Sequence, residues 1–153
     1  MTKDLSKYLG RTFVFGVTDC YTLARDFYKN EFDIELTDYA RYDGWWNDGL
    51  NLYADNIRNE GFFLLPQCEE LRYGDVILMC LSSPVPSHAA IYVGNNKVLH
   101  HVQNRLSRID DYRGMFRNFT VSIWRHEKLK DKVPERKEYE IIPKTERTDT
   151  ITL

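Results

Sequence analysis

The chain is predicted to fold as an α+β protein, with helices first and an antiparallel sheet after them, and three stretches carry that expectation. In Thr18-Asp19-Cys20-Tyr21-Thr22-Leu23-Ala24-Arg25-Asp26-Phe27-Tyr28, the apolar residues Cys20, Leu23, Ala24, Phe27 and Tyr28 recur at helical spacing. Gly74-Asp75-Val76-Ile77-Leu78-Met79-Cys80-Leu81 is an apolar run of strand length. His88 to Val93 and Lys97 to Val102 flank Gly94-Asn95-Asn96, a composition that marks a β-hairpin.

In chain order, residues 1–18 form a lead-in with an aromatic stretch, Phe13-Val14-Phe15-Gly16. Thr18 and Asp19 are the residue types that cap a helix start, so a helix is expected from Cys20 to about Lys29 or Asn30. An aromatic, acidic region with Asp43-Gly44 and Trp45-Trp46 follows, then a second helix from Leu52 to Asn59, stopped near Gly61. Phe62-Phe63-Leu64-Leu65 is a short apolar run, and Ser82-Ser83-Pro84-Val85-Pro86-Ser87 is a loop by composition. Thr120 to Arg125 is the last strand. Glu127 to Leu153 is dense in charge and poor in apolar residues, so residues 1–126 are expected to form the folded domain and 127–153 an extended or partner-docked tail. Two of its segments, Tyr139-Glu140-Ile141-Ile142-Pro143 and Thr148-Asp149-Thr150-Ile151-Thr152-Leu153, have residue types suited to adding a strand to a partner's sheet.

At 153 residues with 42% hydrophobic content, one domain with a real core is expected. A net charge of -2 makes no electrostatic case for nucleic-acid binding, and no apolar run approaches the ~20 residues of a membrane span. The N-terminal residues lack the apolar core of a secretory signal, and three widely spaced cysteines make no disulfide framework, so folding in a reducing cytosol is expected.

The cysteine and histidine content points to nucleophilic chemistry. A free thiol has a pKa of about 8.5, and a helix N-terminus or a nearby imidazolium brings it down to about 3.5–7.5. Cys20, at a predicted first turn, is therefore expected to alkylate at mildly acidic pH before Cys68 and Cys80, which fit as small buried hydrophobes. Strand alternation decides which histidine partners His88. A three-residue loop at Gly94-Asn95-Asn96 sets His88 opposite Val102 and turns His100 to the face of His88, whereas a two- or four-residue loop would select His101. Metal chemistry is disfavoured: no Cys-x-x-Cys is present, adjacent histidines point to opposite faces, and Ser107-Arg108-Ile109-Asp110 has no His-x-His before it. No cofactor is expected. Trp45-Trp46 with Tyr39, Tyr42 and Tyr53 supply aromatic surface for a core edge or for a binding wall.

Phe13-Val14-Phe15-Gly16 with Asp19-Cys20, then Leu71-Arg72-Tyr73-Gly74-Asp75-Val76, then Ser87-His88-Ala89-Ala90 through His100 resemble the motifs of the NlpC/P60 cysteine peptidases, over roughly residues 11 to 126. The resemblance implies a papain-like fold and hydrolysis of peptidoglycan stem peptides, by analogy on the D-glutamyl side of diaminopimelate. It assigns Cys20 as nucleophile, His88 as general base and His100 as the polar residue that orients it. Phe13 stands where family members often carry a tyrosine that assists at the oxyanion, and the insertion between the Gly-containing turn and the cysteine is short. Asp19-Cys20-Tyr21-Thr22-Leu23-Ala24-Arg25-Asp26-Phe27-Tyr28, Leu99-His100-His101, Arg105-Leu106-Ser107-Arg108 and Arg125-His126 are further similar to the K-type tail assembly proteins of lambda-like siphophages. That likeness implies a peptidoglycan hydrolase at a virion tail tip, made in the host cytoplasm, acting in the host wall or periplasm, with tail-tip or hub proteins as partners. Two alternatives stand beside it: a structural tail-tip subunit with an inactive hydrolase fold, and a cell-wall amidase effector injected by a bacterial secretion machine.

Overall fold

Asp19 starts the first helix, α1 (Cys20–Phe32), by accepting a hydrogen bond from the backbone N–H of Thr22 at 3.0 Å. Leu23, Ala24, Phe27 and Tyr28 are buried on one stripe, and α1 packs against the strands that carry the histidines. The helix runs past the expected Asn30 because Phe32 stacks back on Tyr28 and Phe27, with centroids 5.1 and 5.8 Å apart. It ends at Asp33, whose left-handed φ of 57° lets its N–H reach the carbonyls of Lys29 and Tyr28. The computed structural model describes residues 2–48, 50–130 and 138–140.

The second helix, α2 (Leu52–Asn56), is shorter than the sequence predicts, since Arg58–Glu60 tightens into a 3₁₀ turn. Gly61 closes it at a φ of 96°, where a Cβ would lie 2.7 Å from Nε2 of His126. Only glycine fits there.

The strands are β1 (Thr2–Asp4), β2 (Phe62–Leu64), β3 (Val76–Met79), β4 (His88–Gly94), β5 (Lys97–His100), β6 (Arg108–Asp111), β7 (Thr120–His126) and β8 (Glu138–Glu140). Six of them form one antiparallel sheet in the order β2-β7-β3-β4-β5-β6, so the fold is α+β. β3 is fully buried. At its entrance Asp75, itself buried, takes a two-pronged hydrogen bond from Arg125 at 2.9 Å on each oxygen. A short helix, α3 (Met115–Asn118), links β6 to β7.

The β4–β5 hairpin resolves the parity question in a way the loop count did not anticipate. Gly94 pairs with Lys97, so the turn is the two residues Asn95-Asn96, both at positive φ (53° and 60°) as a type I′ turn needs. That turn alone would have selected His101. A bulge between Tyr92 and Gly94 inserts one extra residue and restores the pairing of Ile91 with Leu99. His100 thereby returns to the face of His88.

The ordered chain also continues past residue 126. Glu127–Leu129 form a 3₁₀ turn, and Leu129 is buried in the main core. β8, within the β-prone segment at Tyr139-Glu140, pairs in parallel with β1. Residues 141–143 and 148–153 of the predicted tail segments lie outside the described residues.

Candidate active site

Cys20 is the first residue of α1, 8% exposed, and sits at the floor of a cavity of about 300 Å³. Its Sγ lies 3.1 Å from the hydroxyl of Tyr53, carried by α2. His88, the first residue of β4, lines the same cavity. The β4–β5 register places His100 beside it, with His88 Nε2 2.9 Å from His100 Nδ1. Beyond that contact, His100 Nε2 lies 2.8 Å from Oδ2 of Asp110 on β6.

The order of acceptors assigns the tautomers. Burial raises the Asp110 carboxyl, but the His100 hydrogen bond and Arg108 outweigh it and hold the group below its ordinary value. Asp110 is therefore a carboxylate, an acceptor only, and His100 must carry its proton on Nε2. A neutral His100 then accepts at Nδ1, so His88 donates from Nε2 and its Nδ1 is left with a free lone pair. Burial, with His100 and His101 adding to it, pushes the His88 imidazole well below its usual value, so the ring is neutral around pH 7.

Around Cys20 the electrostatics overturn the expectation of an acidic thiol. Burial and then the Asp19 carboxylate push Cys20 up to about 11, against weaker pulls from the Tyr53 hydroxyl, the backbone of Ala89 and Arg41. The reason lies in the cap itself. Asp19 accepts from one helix-start donor, the Thr22 N–H, and from the Gly16 N–H of the preceding loop at 2.9 Å, and sets a negative charge next to the sulfur. Asp19 stays ionised because Arg41 binds it from the loop after α1, with Nε 2.8 Å and Nη2 3.2 Å from its two oxygens. Arg41 and Asp19 side chains are only 5% and 4% exposed. Burial raises Asp19, and Arg41 with the two backbone N–H groups outweighs it.

The resting site thus brings a neutral thiol and a neutral imidazole into one cavity. Such a pair suits proton removal during attack rather than a stored thiolate.

His101 lines the same cavity as Cys20 and His88 and meets Phe13 edge-to-face, with centroids 5.0 Å apart. No well-aligned hydrogen bond reaches either of its ring nitrogens, although backbone groups of Arg105 and Arg11 come near. Cys80 is half-buried, and Cys68 is exposed rather than in the core. Phe15, Trp45, Trp46, Gln103 and Asn104 also line the cavity. Among the described residues, no three His, Cys, Asp or Glu side chains are grouped to hold a metal ion.

Three contributors were missed by sequence reasoning. Arg41 had no motif around it. Asp110 sits in the polar run Arg108-Ile109-Asp110-Asp111, which carries no strand signal. Tyr53 was visible only as one aromatic among several.

A cysteine opening a helix, a histidine opening a central strand of the sheet and a second histidine across a hairpin, all on an α+β frame, define a class. Residues 10–125 match the NlpC/P60 family, and the chain belongs to it. It is 46% identical over 117 residues to the protein "Tail tip assembly protein K" of Escherichia phage lambda, covering 76% of this chain and 58% of that protein. It is 29% identical over 128 residues to the protein of the same name in Escherichia phage N15, covering 80% of this chain and 50% of that one. The chain therefore spans about half the length of the curated relatives it matches.

Proposed function

We propose that the chain is a cysteine endopeptidase of peptidoglycan stem peptides that works at a phage tail tip. The observation that carries this is the relay Asp110–His100–His88, which leaves one imidazole nitrogen free in the cavity that holds Cys20. In the reaction, Sγ of Cys20 attacks the stem-peptide carbonyl carbon while His88 Nδ1 takes the thiol proton. The tetrahedral adduct collapses to a thioester as the C–N bond breaks, and the leaving amine receives that proton from His88. Water then attacks the thioester, giving its proton to His88, and the carboxylic acid and free thiol are restored. His100 and Asp110 are positioning residues: they hold the ring of His88 and its tautomer. A lining that combines aromatic residues with the amides of Gln103 and Asn104 suits a peptide with apolar and amide surfaces.

The names of the two relatives support a place among tail-tip or hub proteins, with the host wall or periplasm as the site of action. The part of the predicted tail beyond Leu129, which is itself buried in the core, then serves as a docking arm for that assembly. The same names, together with Phe13, favour as a second reading a subunit kept for assembly alone. Purified sacculi digested with the protein and with Cys20→Ala separate the two. New muropeptides from the unaltered chain alone support the endopeptidase; identical profiles from both overturn it.

A further inference from the structure

The cavity holds a phenol that none of the three motifs supplies. Phe13 occupies the position where relatives of this family often have a tyrosine, and it has no proton to donate. Its ring is engaged edge-to-face with Phe15 and His101 at 4.8 and 5.0 Å. Tyr53 instead reaches the site from α2, and its Oη is 3.1 Å from the reacting sulfur. Its ring is held by Tyr21 and Trp45, with centroids 6.0 and 6.1 Å away.

We propose that Tyr53 is a catalytic residue, the side-chain donor to the oxyanion formed when Cys20 attacks, replacing from a different element the phenol that Phe13 lacks. The inference rests on Cys20 being a nucleophile toward carbonyls. At 3.1 Å either group can supply the hydrogen, but once the thiol proton has been taken the sulfur can only accept, so the Tyr53 hydroxyl then donates to Sγ. Bond formation moves the C=O π pair onto oxygen and uses a sulfur lone pair. The carbonyl oxygen arrives within about 3 Å of the sulfur, inside the reach of a donor already at hydrogen-bond distance from it. The O–H turns from sulfur to oxygen without giving up its proton. Burial, and then Cys20, raise the Tyr53 phenol well above its ordinary value, so that proton is retained. The first-turn N–H of Cys20 itself is the natural second donor.

Two reactions of Cys20 distinguish this role from simple support of the sulfur. p-Nitrophenyl acetate acylates the thiol through a tetrahedral oxyanion, whereas iodoacetamide alkylates it by direct displacement with none. Both are followed on the Cys20 peptide by mass, because exposed Cys68 reacts as well, and neither needs peptidoglycan, so the result stands whichever polymer is the substrate. Tyr53→Phe removes one oxygen and keeps the ring packing. It should slow acylation by about 10²–10³-fold, the usual effect of losing one oxyanion donor, and alkylation by less than about threefold. Tyr53→His, which keeps a ring and a donor, should recover part of the acylation rate. Equal loss in both reactions would overturn the proposal in favour of a structural or thiol-supporting role, and so would an unchanged acylation rate. Loss of sacculus digestion together with normal Tyr53-dependent acylation would instead refute the peptidoglycan assignment.

Discussion

Asp110→Asn tests the relay at its outer end. Asparagine is nearly isosteric but carries no charge, so it neither compels His100 to hold its proton on Nε2 nor stabilises that proton. A hydrogen bond to a charged group contributes about 1.5–3 kcal/mol. At about 1.36 kcal/mol per tenfold in rate, that corresponds to roughly 10- to 150-fold. Asp110 has a side chain 20% exposed and shares its other oxygen with Arg108 at 2.9 Å, which moves the expectation to the lower part of that range, about 10- to 50-fold in kcat. KM should hold, because Asp110 does not line the cavity. The assay is release of a soluble stem peptide followed by chromatography, with kcat and KM separated and the profile taken against pH. In the unaltered chain, protonation of His88 removes the free lone pair that takes the thiol proton. Activity is therefore lost as pH falls through the titration of His88, and that limb lies below the ordinary histidine value of 6.5 because burial lowers it. Asp110→Asn lowers the plateau across the whole pH range. A kcat within twofold of the unaltered chain would refute the tautomer argument, and a raised KM with unchanged kcat would place Asp110 in binding instead.

Three further outcomes follow from the same geometry. Asp19→Ala strands the buried Arg41 guanidinium and removes the cap of α1, so a urea midpoint should reveal a loss of about 3 kcal/mol or more. Because the folded-state carboxyl of Asp19 is depressed, its contribution is full above the unfolded value of about 3.9 and disappears as pH falls through the folded one; a stability loss that is the same at pH 2 and pH 7 would contradict this. Iodoacetamide should label exposed Cys68 before Cys20 at pH 7, with Cys20 reactivity climbing toward about 11 and changing little in His88→Ala; a midpoint below about 8.5 that rises in His88→Ala would restore the ion-pair picture. Deleting residues 130–153 spares Leu129 and the six-stranded sheet, so folding and hydrolysis should persist while incorporation into tails weakens; loss of folding would place the segment in the core, and unchanged incorporation would remove the docking role.

The parts legible in the sequence were those decided locally. A capping aspartate and 3.6-residue spacing locate Cys20 at a helix start, and alternation along β4 and β5 narrows the partner of His88 to two candidates. The choice between them turned on a bulge at Tyr92–Gly94, which composition does not announce. What sequence could not show is the charge and burial that long-range packing brings to the thiol. The helix-start field was visible, whereas the Arg41 clamp that keeps Asp19 ionised beside Cys20 joins residues 22 positions apart through a loop. Asp110 was hidden for a related reason: β6 is an edge strand made of charged residues, and its pairing with β5 is a property of the sheet rather than of its own residue types. The stop at Gly61 was legible, whereas the tightening of Arg58–Glu60 into a 3₁₀ turn, which shortens the second helix, was not.

The most direct test of the nucleophile is capture of the acyl-enzyme. The protein is mixed with a soluble stem peptide, quenched in acid during turnover, digested, and its peptides weighed by mass spectrometry. The account predicts a thioester on the peptide bearing Cys20, present in the unaltered chain, accumulating to a lower level in His88→Ala and absent from Cys20→Ala. Cleaved stem peptide from Cys20→Ala at the rate of the unaltered chain, with no acyl mass on Cys20, would contradict it.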